Sequence, residues 1–198
     1  MKQYYFPYFP GLKKYNYLPL LCFWISGEYN KNTKLYDTIT FQSLDDLLKK
    51  VETAAGEKVI SKSTLSRALN NEEYKKYFSY DREKKIIALN NNFRSRPGEK
   101  EKQSFIVLSA AELSFLIKSK DNLLIQYFLY LKYYCGFSKS KTTDTTAKQF
   151  LAACGYCETS NNYLSKIAGF NNLLSSFGFL TIKKTRDGNG RERNEYKF

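Results

Sequence analysis

The chain has 198 residues, and 32 Lys and Arg against 19 Asp and Glu leave a net charge of +13, with no histidine at all. Without imidazole there is no Ser-His-Asp or Cys-His site, no zinc-hydrolase motif and no His-hydrophobe-His metal site, because histidine is the usual base and metal ligand near neutral pH. Neither G-x-x-x-x-G-K-[ST] nor G-x-G-x-x-G occurs, so the chain reads as a protein that is not an enzyme and carries no cofactor.

In chain order, Tyr4, Tyr5, Phe6, Tyr8 and Phe9 cluster around Pro7 and Pro10. The cluster is too dense for a solvated tail, and packing over the first domain is preferred to a dimer contact or stacking on single-stranded bases. Leu18–Ile25 is an apolar helix or strand. It falls short of the ~18–20 apolar residues that span a bilayer and lacks a signal-like cleavage site, so the expected location is the cytoplasm, with no membrane partner. Thr38–Phe41 is a strand. Ser43 caps a helix over Leu44–Thr53 with an apolar stripe of Leu44, Leu47, Leu48 and Val51, and Gly56 breaks it. Ser61 opens Lys62–Leu69, with Leu65, Ala68 and Leu69 inward and Lys62, Ser63, Thr64, Arg67 and Asn70 outward. Tyr77–Tyr80 and Lys85–Leu89, turned through Asp81-Arg82-Glu83-Lys84, form a hairpin.

From Asn90 to Gln103 the chain is polar, charged and broken by Pro97-Gly98, which sets the expected division: a first domain over 1–92, a linker over 93–103 and a second domain over 104–198. Phe105–Leu108 is a strand. Ser109 caps Ala110–Ile117, with Glu112 at capping-box spacing. Asp121 caps Asn122–Tyr134, whose Leu, Ile, Phe and Tyr residues predict the most buried helix of its domain. Thr145 or Thr146 starts a helix with Phe150, Leu151 and Cys154 inward, and Gly155 ends it. Ser160 caps the next helix, with Leu164, Ile167 or Ala168, Leu174 and Phe177 inward and Asn161, Asn162, Ser165, Lys166 and Asn172 outward. Gly169 lowers the helical preference of its middle, and Gly178 closes it. Phe179–Lys184 and Arg191–Phe198 are strands joined through Gly188-Asn189-Gly190, residues that tolerate the positive φ of a tight turn.

Of the four cysteines, Cys22, Cys135, Cys154 and Cys157, only the last two have ligand-like spacing, and no second pair or histidine completes a site. They read as reduced, small apolar residues, and no metal is expected. The carboxylate pairs Asp45-Asp46 and Glu72-Glu73 read as ordinary acids at helix starts and not as the metal ligands of a nuclease.

Two helix faces remain, each with short polar or basic residues able to meet base edges in a major groove. They are Lys62, Ser63, Thr64, Arg67 and Asn70, and Asn161, Asn162, Ser165 and Lys166. Lys183, Lys184, Arg186, Arg191 and Arg193 surround the second hairpin's turn and suit phosphates, although strand-edge protection would also explain them. The order Ala147-Lys148-Gln149-Phe150-Leu151 to Gly155, Ser160 to Lys166, then Leu174 and Gly178-Phe179-Leu180, resembles the two-helix and wing-entry pattern of the winged helix-turn-helix superfamily. The first half repeats the order more weakly. The resemblance implies an α+β, mostly α, fold: two winged-helix domains in tandem, each a three-helix bundle with a β-hairpin wing. It further implies sequence-specific double-stranded DNA as the partner. The doubling is similar to plasmid and phage replication initiators, which admits a homodimer and contacts with replication proteins. A winged-helix repressor is the alternative within the class, and a protein-interaction module the alternative outside it.

Overall fold

In the computed structural model the described residues are 2–8, 16–32, 34–90, 105–138, 140–186, 188, 190 and 192–198. The fold is α+β, with seven α-helices and antiparallel sheets among these residues. The chain forms two compact units, Met1–Pro7 with Asn16–Lys120 and Tyr8–Tyr15 with Asp121–Phe198.

The first unit contains β1 (Gln3–Pro7), α1 (Leu18–Ser26), β2 (Glu28–Asn30), β3 (Leu35–Thr40), α2 (Leu44–Ala55), α3 (Lys62–Leu69) and a single 3-10 turn at Glu72–Tyr74. It continues with β4 (Phe78–Asp81), β5 (Ile86–Leu89), β6 (Phe105–Ser109) and α4 (Ala110–Ser119). Every α1 residue from Pro19 to Ser26 is buried, so no amphipathic stripe marks it; a helix apolar all round is one that others surround. Around it, Leu47 and Val51 of α2, Leu65 of α3, and Leu113, Leu116 and Ile117 of α4 have no exposed surface. Ser43 caps α2 by accepting from the Asp46 backbone N–H at 3.2 Å, and Gly56 stops it in the left-handed conformation at φ 78°.

β1 pairs antiparallel with β6, Tyr4 opposite Leu108 and Phe6 opposite Ile106. Tyr4, Tyr5 and Phe6 therefore act as a strand: Tyr4 and Phe6 are buried and the Trp24 indole N–H donates to the Tyr5 carbonyl at 2.8 Å. Tyr8 instead belongs to the second unit, its ring 5.0 Å from that of Tyr133, and Phe9 lies outside the described residues. This pairing also moves the expected boundary. β6 and α4 follow the 93–103 linker in sequence yet belong to the first unit, because their apolar faces are covered by β1 and α1. The linker itself lies outside the described residues.

The second unit contains α5 (Asn122–Phe137), β7 (Thr142–Thr143), α6 (Ala147–Ala153), α7 (Asn161–Ser176), β8 (Thr181–Arg186) and β9 (Glu192–Lys197). Leu124, Ile125, Tyr127, Phe128, Leu129 and Leu131 make α5 the buried helix that its composition predicts. Thr146 caps α6 in a capping box with Gln149, whereas Ser160 occupies the N-cap of α7 without a side-chain bond. The sheet order is β7-β9-β8, and in the first unit β2-β3-β5-β4. Each unit contains a helix, then a strand, two helices and a hairpin, and in each the strand before the helix pair bonds to the hairpin's last strand; the first unit adds β1, β2, β6 and α4 to this order.

Along α7, Ile167, Phe170 and Leu174 are buried, but Phe177 is 59% and Leu173 38% exposed. Phe177 departs from the inward position expected of it because the helix ends at Ser176 and Gly178 turns the backbone at φ 71°, so helical spacing no longer places its ring. No described helix is long and apolar enough to cross a membrane.

Two measurements check this packing. A methyl group added at Gly169 would meet nothing within 4 Å, so Gly169→Ala should raise unfolding stability in urea by up to about 1 kcal/mol. Burial pushes the Cys22 and Cys154 thiols, and the Tyr4, Tyr74 and Tyr156 phenols, up to about 12 from ordinary values of 9.0 and 10.0. Above those ordinary values the unfolded chain sheds protons that the fold retains. Urea stability should therefore hold below about pH 9 and decline as the pH rises towards 12.

Candidate nucleic-acid interface

In the first unit, burial of Leu65, Ala68 and Leu69 turns Lys62, Ser63, Arg67 and Asn70 outward and leaves Thr64 half-buried. Ser61 Oγ accepts from the Thr64 backbone N–H at 3.2 Å and lies 2.9 Å from the Ser63 hydroxyl, which fixes the first turn. The outward face is already engaged. Lys62 Nζ reaches Asp45 Oδ2 on α2 at 2.6 Å, Arg67 Nε donates to the Ser63 carbonyl at 3.3 Å, and Asn70 Nδ2 donates to the Ser66 carbonyl at 2.8 Å. These groups are exposed, and exposed ion pairs contribute only about 0–1 kcal/mol, so an arriving phosphate can displace them.

Arg82, in the turn between β4 and β5, donates through Nη2 to Asn70 Oδ1 at 2.6 Å. The hairpin turn is thus tied to the C-terminal cap of α3. In the sequence Arg82 is one of several charged turn residues, and nothing in their spacing singles it out.

In the second unit Asn161, Asn162, Ser165 and Lys166 are all exposed, and among the described residues none of the four side chains makes a hydrogen bond or ion pair. Strand register sorts the hairpin's cations. Ile182 pairs with Tyr196, Lys184 with Asn194 and Arg186 with Glu192, so Lys184 and Arg186 share the face whose buried Tyr196 packs its ring on Tyr127 of α5 and points its hydroxyl at Asn171 of α7. Lys183 stands opposite Glu195 and Arg193 opposite Thr185, on the other face. There Arg193 Nη1 contacts Asp144 Oδ2 at 3.3 Å, which offsets its charge. Lys184 comes within 4.0 Å of Glu192 but stays 80% exposed. Arg191 lies outside the described residues.

A part-buried polar chain links α5, α7 and the hairpin. Tyr127 Oη on α5 donates to Asn171 Oδ1 at 2.7 Å, Asn171 Nδ2 lies 3.5 Å from Tyr196 Oη, and Asn194 Nδ2 donates to that hydroxyl at 3.2 Å. Burial, with smaller contributions from the Tyr196 hydroxyl, holds the Tyr127 phenol well above its ordinary range, so it remains a donor. Before α7, Tyr156 Oη donates to the buried Gln126 Oε1 at 2.8 Å and anchors the turn that presents Asn161.

Among the described residues no group of three His, Cys, Asp or Glu could hold a metal ion. Asp45 and Glu72 are engaged with Lys62 and Lys75, each at 2.6 Å. A scan against protein-family models, a search of curated proteins and a search of solved structures found no match.

If the Tyr127 chain positions the hairpin, Tyr127→Phe should cost about 1 kcal/mol in urea unfolding, because it removes the hydrogen bond to the half-buried Asn171 carbonyl oxygen. Tyr134→Phe on the same helix, at a residue 38% exposed, should cost little. Equal effects would show that burial and not bonding matters at Tyr127.

Proposed function

We propose that the protein binds double-stranded DNA in a sequence-specific manner through two winged-helix domains, as a replication initiator or replisome organiser of a plasmid, phage or other mobile element. The observation that carries this reading is the repeated topology. In both units a helix pair is followed by a hairpin whose last strand bonds to the strand ahead of the pair. In both, the second helix of the pair turns short polar or basic residues to solvent.

The charges agree with a polyanion. At +13 the chain attracts DNA from a distance, and each phosphate neutralised releases counterions. Within this reading α3 and α7 enter successive major-groove segments. Lys62, Ser63, Thr64, Arg67 and Asn70 face one segment, and Asn161, Asn162, Ser165 and Lys166 the other. Arg can pair with guanine and Asn with adenine through two donors or a donor and an acceptor. Lys184 and Arg186 supply phosphate contacts beside α7, and Arg82 does so beside α3. Two heads on one chain suit repeated sites, which favours origin binding over simple repression; a repressor of the same class is the second choice.

Mobility shifts of the full chain on duplexes selected from a random pool, run across a salt series, test the reading. Affinity should drop steeply with salt. Arg67→Ala should cost about 1–3 kcal/mol on selected sites and relax preference at one base-pair position, while Lys184→Ala weakens all duplexes alike. A salt-independent affinity, or selection that returns no preferred site, would rule the proposal out. A stable complex with an acidic protein and only unspecific DNA affinity would point instead to a protein-interaction module.

A further inference from the structure

At the end of α7 opposite Asn161, the rings of Phe177 and Phe179 stack with centroids 6.1 Å apart and planes 7° from parallel. Phe177 is 59% exposed, and Leu173, one turn earlier on the same edge, is 38% exposed. Behind them Phe179 meets Phe128 edge-on at 6.3 Å, Phe128 meets Phe198 at 5.0 Å, and Lys132 Nζ lies 5.4 Å from the Phe198 ring. A large aromatic ring held parallel to a second, with its exposed part facing solvent, adds little to the core.

The surroundings indicate what it receives. No Asp or Glu occurs from Asn122 to Thr143 or from Thr159 to Arg186, the segments that build α5, α7 and β8. At this end of the hairpin Thr181 pairs with Lys197; Glu195 stands opposite Lys183 two residues on, and Glu192 sits near the turn. An apolar, planar surface on a +13 chain, beside helices and a strand without Asp or Glu, complements a polyanion that carries flat π-faces, and every nucleobase has one. In a duplex those faces are stacked on each other, so the fitting occupant is a single strand. A second copy of a +13 chain is disfavoured by like charge.

We infer that Phe177, backed by Phe179, is a stacking platform for bases of single-stranded nucleic acid. It lies about 24 Å along α7 from Asn161, at 1.5 Å per residue, so it is separate from the face assigned to duplex DNA and does not depend on that assignment.

The test uses the full chain with a fluorescent oligothymidylate and, in parallel, a duplex. Phe177→Ala should weaken the single strand about fivefold or more, the loss of one stacked base, with duplex affinity and urea stability unchanged. Phe177→Leu, which keeps apolar bulk without a π-face, should lose as much, and Phe177→Trp should retain binding. An oligonucleotide carrying halogenated uracil should photo-crosslink to the segment from Leu173 to Phe179. The inference is overturned if Phe177→Ala binds oligothymidylate like the parent, or if Phe177→Leu retains what Phe177→Ala loses, which marks an aliphatic protein-docking patch. Equal weakening of single strand and duplex would also overturn it, as would a change in sedimentation mass with single-strand affinity intact.

Discussion

In each unit the position of the hairpin depends on one strand pairing: β3 with β5, and β7 with β9. A hairpin by itself is marginal in water and free to lie at any angle to the helix before it. Hydrogen bonds to the strand ahead of the helix pair remove that freedom, and a side-chain contact then fixes the helix-facing side. In the first unit the contact is Arg82 to Asn70; in the second it is the part-buried chain Tyr127, Asn171, Tyr196 and Asn194. The basic residues of the hairpin are thereby given a defined place beside α3 or α7. Such preorganisation reduces the ordering entropy that binding would otherwise cost.

The two units differ in how their helix faces are kept before any partner arrives. On α3 the outward side chains are held in a local network that includes Asp45. On α7 the outward face at Asn161, Asn162, Ser165 and Lys166 is open. In the proposed role the first face exchanges weak exposed bonds for contacts with DNA, and the second loses hydration alone. α7 also carries two kinds of surface along one edge, polar and basic at Lys166 and aromatic at Phe177, which gives it room for a second class of nucleic-acid contact.

Most helices were legible because their signals are local. Ser43, Ser61, Ser109 and Asp121 each start a helix, and Gly56 and Gly178 stop one, through bonds or backbone conformations that involve only neighbouring residues. What was illegible depends on distant partners. The strand propensity of Phe105–Ser109 says nothing of which strand it joins, and its partner β1 lies about a hundred residues earlier, so the unit boundary fell after Lys120 and not at the polar linker. Arg82 gained a role from a residue on another element. Phe177 followed the apolar spacing of α7 yet stands in solvent, because chain reversal begins one residue before periodicity would bring it inward.

By itself the sequence determined where most helices and the two later hairpins form and the strongly positive charge, because caps, turns and hydrophobic spacing act over a few residues; it left Leu18–Ile25 as helix or strand and did not mark β1, β2 or β7. Tertiary structure alone decided which strands pair, which unit claims β6 and α4, which hairpin cations face the helix, and which aromatic reaches solvent. These outcomes require residues far apart in the chain to compete for the same buried surface, and local sequence carries no record of that competition.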